Sequence, residues 1–338
     1  MQRKTNHLKK KIALITGGYS GEAVISYQSA DNILHHIDRS KYEIYKIDIS
    51  KKGWFYTNEN NETKTIERSD FSFENYGEKV LFDLALMCIH GSPGEDGKLL
   101  GYFDMIGLPY TSCNAAVSAL TFNKRHTVAV VGLAGIEVAK SILLYQSEAI
   151  NIEAIKELQF PVFVKPNNGG SSIGMSKVLE KQDQDILTAI DKAFAEDNQV
   201  LIEEYIKGRE FTIGVLRNIA GEIITLPMTE IILKTGRGHF DFEAKYNGET
   251  GEITPAEASQ EIAKKVAETA KKVYQVLGCS GIIRIDFIYN DTTNNPLMLE
   301  VNTVPGQTKE SLVPKQVLAN GWTLKEFYTQ LIETALVQ

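Results

Sequence analysis

The chain reads as an α/β unit followed by α+β material. Its early strands are continuous apolar runs separated by helical periodicity. Its middle carries a strand, strand, helix, strand succession, and its end carries two strands around a polar turn. At about 150 residues per domain, 338 residues make roughly two domains or three small ones.

Residues 12–15 form a short apolar run that ends at Gly17-Gly18. Beyond Ser20 the positions Tyr27, Ala30, Ile33, Leu34 and Ile37 recur at helical spacing, which gives a strand, a glycine turn and a helix. A β-rich run over 42–50 precedes a polar stretch at 58–65 and the almost wholly apolar 81–89. Continuous apolar strands alternating with helices predict a parallel sheet covered on both faces. After Pro109, Asn114 and Asn123 are expected to cap two short helices, and 136–139 is strand-like, with a new domain expected to begin there. A helix near 152–158, a strand at 161–165, a Gly/Ser loop, a strand around 173–178, a helix carrying Ile186, Leu187, Ile190 and Phe194, and a strand at 199–206 make a small α+β unit. Segments 211–216 and 221–233 open the last third. Residues 234–252 then turn polar and glycine-rich, which fits a functional lid better than a linker. Ile262, Val266, Ala270, Val273 and Leu277 mark one amphipathic helix, and strands at 281–289 and 296–302 follow it.

Composition narrows the function classes. Hydrophobic residues at 43% and charged residues at 23% are globular values, so the chain has material for real cores. Thirty-six Lys and Arg against 43 acidic residues leave a net charge of −7, which argues against a protein-wide grip on nucleic acid or an anionic membrane. Any anion must be bound locally. Cys88, Cys113 and Cys279 lie far apart with no C-x-x-C spacing, the pattern of reduced, buried thiols. The basic residues Arg3, Lys4, Lys9, Lys10 and Lys11 precede an apolar run too short for a signal sequence, and no run approaches the roughly 18 apolar residues of a membrane span. A cytoplasmic protein is expected.

Four constellations carry chemistry. Arg284 and Asp286 are two apart on one strand and Glu300 and Asn302 two apart on the next, so strand alternation puts each pair on one face. Carboxylate and amide oxygens suit Mg²⁺, although a surface salt-bridge ladder has the same pattern. The loop KPNNGGSSIG (165–174) offers backbone N–H groups and Lys165 to a phosphate, and equally fits a hairpin turn. Glu203, Glu204 and Glu210 gather near a strand end, where they suit an amino group and a ribose or simply a solvated edge. HGSPGEDG (90–97) follows an apolar strand, at the end where open α/β sheets place their crevices, which makes His90 a better candidate than His35, His36 or His239. No G-x-x-x-x-G-K-[ST] stretch occurs, and GGYSGE (17–22) lacks the dinucleotide spacing.

Taken together, GGYSGE, HGSPGEDGKLLGYFDMIGLPYT, FNK, PVFVKPNNGGSSIGMSKV, VLIEEYIKGREFT, FEAKYNGET, GIIRIDF and LEVNTVPGQTKESLVP resemble, in order, the D-alanine–D-alanine ligases of the ATP-grasp superfamily. The resemblance implies a three-domain ATP-grasp architecture. Its parts would be an N-terminal Rossmann-like (pre-ATP-grasp) α/β domain over 1–113 on the substrate side, a small central α+β domain over 114–204, and a C-terminal domain over 205–338 with the metal site and the lid 234–252. It implies ATP as co-substrate, two Mg²⁺ or Mn²⁺ ions held by Asp286, Glu300 and Asn302, and phosphate contacts from Lys124, Lys165, Ser171 and Ser172. Glu203 would take the adenine amino group, the Ile206 backbone the ring, and Glu210 the ribose. Glu22 would hold the ammonium of the first D-alanine, bonded with Ser171 and Tyr246, and His90 would lie beside the same substrate. Arg284 and the Gly306 N–H would form the oxyanion site, Ser311 and Leu312 would cradle the second carboxylate, and Lys245 would reach the transferred phosphate. A homodimer and a role in peptidoglycan precursor synthesis follow from the same resemblance.

The implied chemistry suits the residue types. A carboxylate acylates poorly until it is phosphorylated, and the resulting acyl phosphate needs protection from water, which gives a lid a physical task. Three positions depart from the family pattern. Val24 stands where many members carry a second acid, Asn167-Asn168-Gly169 replaces a more charged loop, and Tyr205 replaces a tryptophan found in some. Tyr246 after Lys245 matches members that make the dipeptide, whereas D-lactate users tend to carry phenylalanine there. Competing readings are an ATP-grasp ligase for another carboxylate and amine, and a relative that binds nucleotide without catalysis; Glu22, Tyr246 and Ser311 discriminate the first, an intact metal set and Arg284 the second.

Overall fold

A computed structural model describes residues 9–170, 172–233 and 250–337. The first third runs β1 (Lys10–Gly17), α1 (Ala23–His36), β2 (Tyr42–Ser50), β3 (Gly53–Thr57), β4 (Thr63–Thr65), β5 (Phe73–Asn75), β6 (Glu78–Val80), β7 (Leu84–Met87) and α2 (Lys98–Ile106). The sheet order is β4-β3-β2-β1-β7, with β1 parallel to both β2 and β7 and the first two strands added antiparallel. The adjacent strands of highest apolar content, β1 and β7, are buried on both faces, although β7 ends the order. Ala13, Ile15, Ile47 and Met87 face Leu100, Phe103 and a cluster of rings that includes Phe71 and Phe73. Ile12, Leu14, Leu84 and Leu86 face Ala30 and Ile33 of α1. The strands β4, β5 and β6 between 63 and 80 escape the sequence reading because three residues are too few to show a periodicity.

The middle runs α3 (Ala115–Phe122), α4 (Lys124–Leu133), β8 (Ser141–Tyr145), α5 (Ile152–Lys156), β9 (Val162–Pro166), β10 (Ser176–Val178), α6 (Asp183–Phe194) and β11 (Gln199–Glu204). Asn114 caps α3 by accepting from the Val117 N–H at 2.9 Å, and Asn123 caps α4 by accepting from the His126 N–H at 3.0 Å. The strand expected at 136–139 lies instead at 141–145. Ile136 is drawn into the core beside α4, and the Glu137 carbonyl accepts from the Met298 N–H at 2.9 Å, so ladder pairing begins only at Ser141. The strand expected over 173–178 starts at Ser176, because Gly174 at φ +73° still belongs to the loop. The antiparallel order β10-β9-β11-β8 buries Val162, Val164, Val200 and Ile202 under Ile155, Ile186 and Ile190. Alternation sends Phe163, Lys165, Lys177 and Glu203 to the other face.

The last part runs β12 (Gly208–Arg217), β13 (Ile223–Thr225), β14 (Thr229–Leu233), β15 (Thr250–Ile253), α7 (Gln260–Val276), β16 (Ile282–Asn290), β17 (Asn295–Asn302), α8 (Leu312–Ala319) and α9 (Leu324–Val337). The sheet order is β15-β14-β12-β16-β17. Phe211, Ile213 and Val215 with Ile283, Ile285 and Phe287 pack against Val266, Ala270 and Val273 of α7 and against Val128 and Val131 of α4. The even-numbered positions of the same strands face the other way. Helix α9 leaves this sheet and returns to the first one, where Phe327, Tyr328, Leu331 and Ile332 cover Ile12, Leu14, Leu84 and Leu86. Of the expected lid 234–252, residues 250–252 lie in β15 and 234–249 fall outside the described residues. No helix among the described residues is long and apolar enough to cross a membrane.

One edge of β12 is shared by β14, paired at 210–212, and β13, paired at 215–217. Between them the ladder is completed by a side chain. The fully buried Gln316 of α8 accepts from the Gly214 N–H at 2.8 Å and donates to the Thr212 carbonyl at 3.0 Å and to the Thr229 hydroxyl at 3.1 Å. That amide fixes α8 on the sheet. Gln316→Leu would leave those backbone groups buried and unpaired, and denaturant unfolding should show a loss of about 1–3 kcal/mol.

Candidate active site

The face opposite α7 carries the charged ladder. Strands β16 and β17 pair Arg284 with Asn302 and Asp286 with Glu300, so four polar side chains share one face, with a bulge following Asp286. Arg284 donates from Nε to Asp286 Oδ1 at 2.9 Å and from Nη2 to Oδ2 at 2.8 Å, a bidentate fork, and lies 3.9 Å from Glu300. The Thr212 hydroxyl donates to Asp286 at 2.5 Å, and the Asn302 amide reaches the same carboxylate at 3.5 Å. Burial disfavours the charge on Arg284, but Asp286, Glu300 and Glu95 outweigh it and raise its pKa.

This ladder forms one wall of a cavity of about 400 Å³. Glu22, His90 and Glu95 supply a second wall from the N-terminal sheet, Lys124, Gly169 and Gly170 a third, and Gly306, Ser311 and Leu312 the last. Glu22 stands at the N-terminus of α1, where the turn after β1 points it past the strand end. Its carboxylate is wedged between two glycines: a Cβ at Gly91 would lie 2.5 Å from Oε2, and one at Gly170 3.0 Å from Oε1. Gly306 is similarly constrained, since a Cβ there would come within 2.7 Å of Ser311 Oγ. Ser311 precedes α8, and its hydroxyl takes the Thr308 N–H at 3.0 Å instead of capping the helix.

His90 is buried and fully engaged. Its Nδ1 lies 2.7 Å from the Val304 carbonyl, which can only accept, so Nδ1 carries the proton and Nε2 accepts from Ser29 Oγ at 3.1 Å. Burial holds its pKa below the usual histidine value. It therefore ties the N-terminal sheet to the 304–307 turn as a neutral ring.

The residues expected around a nucleotide form a second group. Lys165 and Glu203 lie on the open face of the small sheet and are ion-paired at 2.5 Å, both largely buried. Lys177, on the same face, sits 3.8 Å from the Tyr205 ring centroid, just before Ile206. Glu210 lies two residues from Thr212 on β12, on the Asp286 face. Ser172 adopts φ +56° within the Gly/Ser loop. Lys124 joins the two groups, with Nζ 2.5 Å from the Gly169 carbonyl and 3.6 Å from Glu300. Ser171, Lys245 and Tyr246 lie outside the described residues.

Residues 11–113 match the family model described as D-ala D-ala ligase N-terminus, and residues 127–333 match D-ala D-ala ligase C-terminus. The chain belongs to the D-alanine–D-alanine ligase family. Among its relatives, the D-alanine–D-alanine ligase of Flavobacterium johnsoniae is 46% identical over 97% of this chain and 99% of its own length. Among solved structures, the VanG D-Ala:D-Ser ligase from Enterococcus faecalis superposes with a TM-score of 0.85 at 33% identity, covering 97% of this chain and 100% of that one. The Bacillus anthracis D-alanine–D-alanine ligase complexed with ATP gives 0.76 at 28% identity, covering 97% and 98%.

Within this ligase fold the structure adds a residue that sequence reasoning passed over. Glu95 sits in the HGSPGEDG loop, but only tertiary packing brings it, half-buried, to the cavity wall with Glu22 and Arg284. It accepts from the Gly91 N–H at 2.7 Å and the Val304 N–H at 3.1 Å. Burial, reinforced by Glu22, pushes its pKa up to about 7, against the pull of those N–H groups and Arg284. A carboxyl raised in the folded state takes up a proton on folding, so its contribution is present below the unfolded value of 4.5 and is lost as pH rises to about 7. The melting temperature of Glu95→Gln should therefore improve relative to the parent as pH is raised across that window. A flat difference would show that Glu95 does not titrate there.

Proposed function

We propose that the protein joins two D-alanines to D-alanyl-D-alanine, with ATP converted to ADP and phosphate, in the cytoplasm and for peptidoglycan precursor synthesis. The observation that carries this reading is the one cavity shared by Glu22 at the start of α1 and Arg284, Glu300 and Asn302 of the last sheet. It gathers one acid for an ammonium and a cationic, metal-ready wall about a small-molecule volume.

Asp286, Glu300 and Asn302 would hold two Mg²⁺ or Mn²⁺ ions. Strand pairing sets the two carboxylates and the amide side by side on one face, an all-oxygen donor set of the kind hard cations take together with phosphate and water. When bound, such ions neutralise charge on the phosphates. Lys124, Lys165, Ser171 and Ser172 would hold the phosphates, Glu203 and the Ile206 backbone the adenine, and Glu210 the ribose. Glu22, with Ser171, Tyr246 and His90 about it, would orient the first D-alanine so that its carboxylate attacks the γ-phosphorus, with Lys245 on the transferred group. The second D-alanine, its carboxylate cradled by Ser311 and Leu312 at the start of α8, would attack the acyl phosphate through its amine. Asp286 takes the Nε and Nη2 edge of Arg284, so the oxyanion role falls to Nη1 together with the Gly306 N–H. Phosphate then leaves. The family resemblance adds a homodimer.

Phosphate release from Mg-ATP should require D-alanine and remain at background with L-alanine, glycine or D-lactate. D-serine belongs in the same panel, because the Enterococcus neighbour bears that name. A preference for any of these over D-alanine as acceptor would overturn the substrate assignment. Asp286→Ala and Glu300→Ala should each abolish turnover while keeping the fold. Arg284→Ala should cost about 2.7–4 kcal/mol in transition-state stabilisation, read from kcat/KM; near-normal rates would remove it from the oxyanion site.

A further inference from the structure

The first turn of α4 is held by a loop of another sheet. A helix start leaves backbone N–H groups that need outside acceptors, usually supplied by its own cap residue. Here Asn123 serves the His126 N–H through its side chain and the Thr127 N–H through its carbonyl, and leaves the first two to other acceptors. The Lys124 N–H donates to the Asn167 carbonyl at 3.1 Å, and the Arg125 N–H donates to Asn167 Oδ1 at 2.9 Å. Asn167 is wholly buried and is itself fixed twice to Gln199, through its N–H to the Gln199 carbonyl at 2.9 Å and through Nδ2 to Oε1 at 2.7 Å. Gln199 Oε1 also accepts from Asn123 Nδ2 at 3.2 Å, which closes the ring of amides. The next loop residue is clamped as well: Asp197 Oδ2 accepts from the Asn168 N–H at 2.7 Å and from its Nδ2 at 2.9 Å.

Loop residues 167–169 and Lys124 are thus joined into one hydrogen-bonded body, and Lys124 Nζ rests on the Gly169 carbonyl with Glu300 beyond it. We propose that Asn167 is a positioning residue that sets the Lys124 ammonium relative to the phosphates of ATP, so that the loop and the lysine act on the nucleotide as a unit. This rests on the ATP reading of the site. It also accounts for the uncharged Asn167-Asn168 pair, whose amides serve α4, Gln199 and Asp197.

The test is equilibrium binding of a non-hydrolysable Mg-ATP analogue, adenylyl imidodiphosphate, to the full chain by calorimetry. The set is the parent, Asn167→Ala, Lys124→Ala and the double variant, each checked for folding by circular dichroism. Each single change should weaken binding about tenfold, and the double variant should bind within about twofold of Lys124→Ala alone, because Asn167 acts through the lysine. In turnover, KM for ATP should rise while KM for D-alanine holds. Should Asn167→Ala fail to fold, Gln199→Ala removes the acceptor shared by both asparagines from a half-buried position and should shift affinity the same way. Additive penalties in the double variant, or unchanged affinity in a folded Asn167→Ala or Gln199→Ala, overturn the inference. A parent chain that does not bind the analogue overturns the ATP reading and this inference with it.

Discussion

The pairing of β16 with β17 is the constraint on which the site depends. It places Arg284 beside Asp286 and Glu300 on a face that the fold half covers, with Lys124 closing on Glu300 from α4. Two positive and two negative groups then balance one another where isolated charges would be costly to bury. A slip of one residue in either strand would send its two ladder side chains to the α7 face, into a core of Phe, Ile and Val. The apolar packing of the odd positions therefore enforces the chemistry of the even ones.

The turn after β17 is held from the other end of the chain. His90 donates to the Val304 carbonyl, Glu95 takes the Val304 N–H, Ser29 takes the Gln307 N–H, and Asn32 donates to the Gln307 carbonyl at 2.7 Å. Gly306 lies inside this set. The N-terminal sheet thus shapes the backbone of the final one as well as lining the cavity, and neutral His90 does so without adding charge beside Glu22.

Much of this was legible in the sequence because it rests on local periodicity. Strand alternation put Arg284 with Asp286 and Glu300 with Asn302, and the helical spacing of Val266, Ala270 and Val273 marked the covering helix. The caps Asn114 and Asn123 were legible from residue type alone. Other features were silent for physical reasons. The 136–139 segment has strand composition, yet tertiary burial of Ile136 overrode it. Glu95 is one acid among 43 until packing gathers it with Glu22 and Arg284, and Gln316 is one polar residue in a helix until the gap on β12 gives its amide a task. Asn167 looks like a turn residue because its partners lie 32 and 42 residues away.

Helix α9 belongs to the last third by sequence and to the first sheet by packing. Until residues 324–335 have left the ribosome, α1 covers the β1 part of that face but Leu84 and Leu86 of β7 lack their second cover, although their own strand was synthesised hundreds of residues earlier. The first core is therefore finished by the last helix, and the molecule cannot mature strictly from front to back.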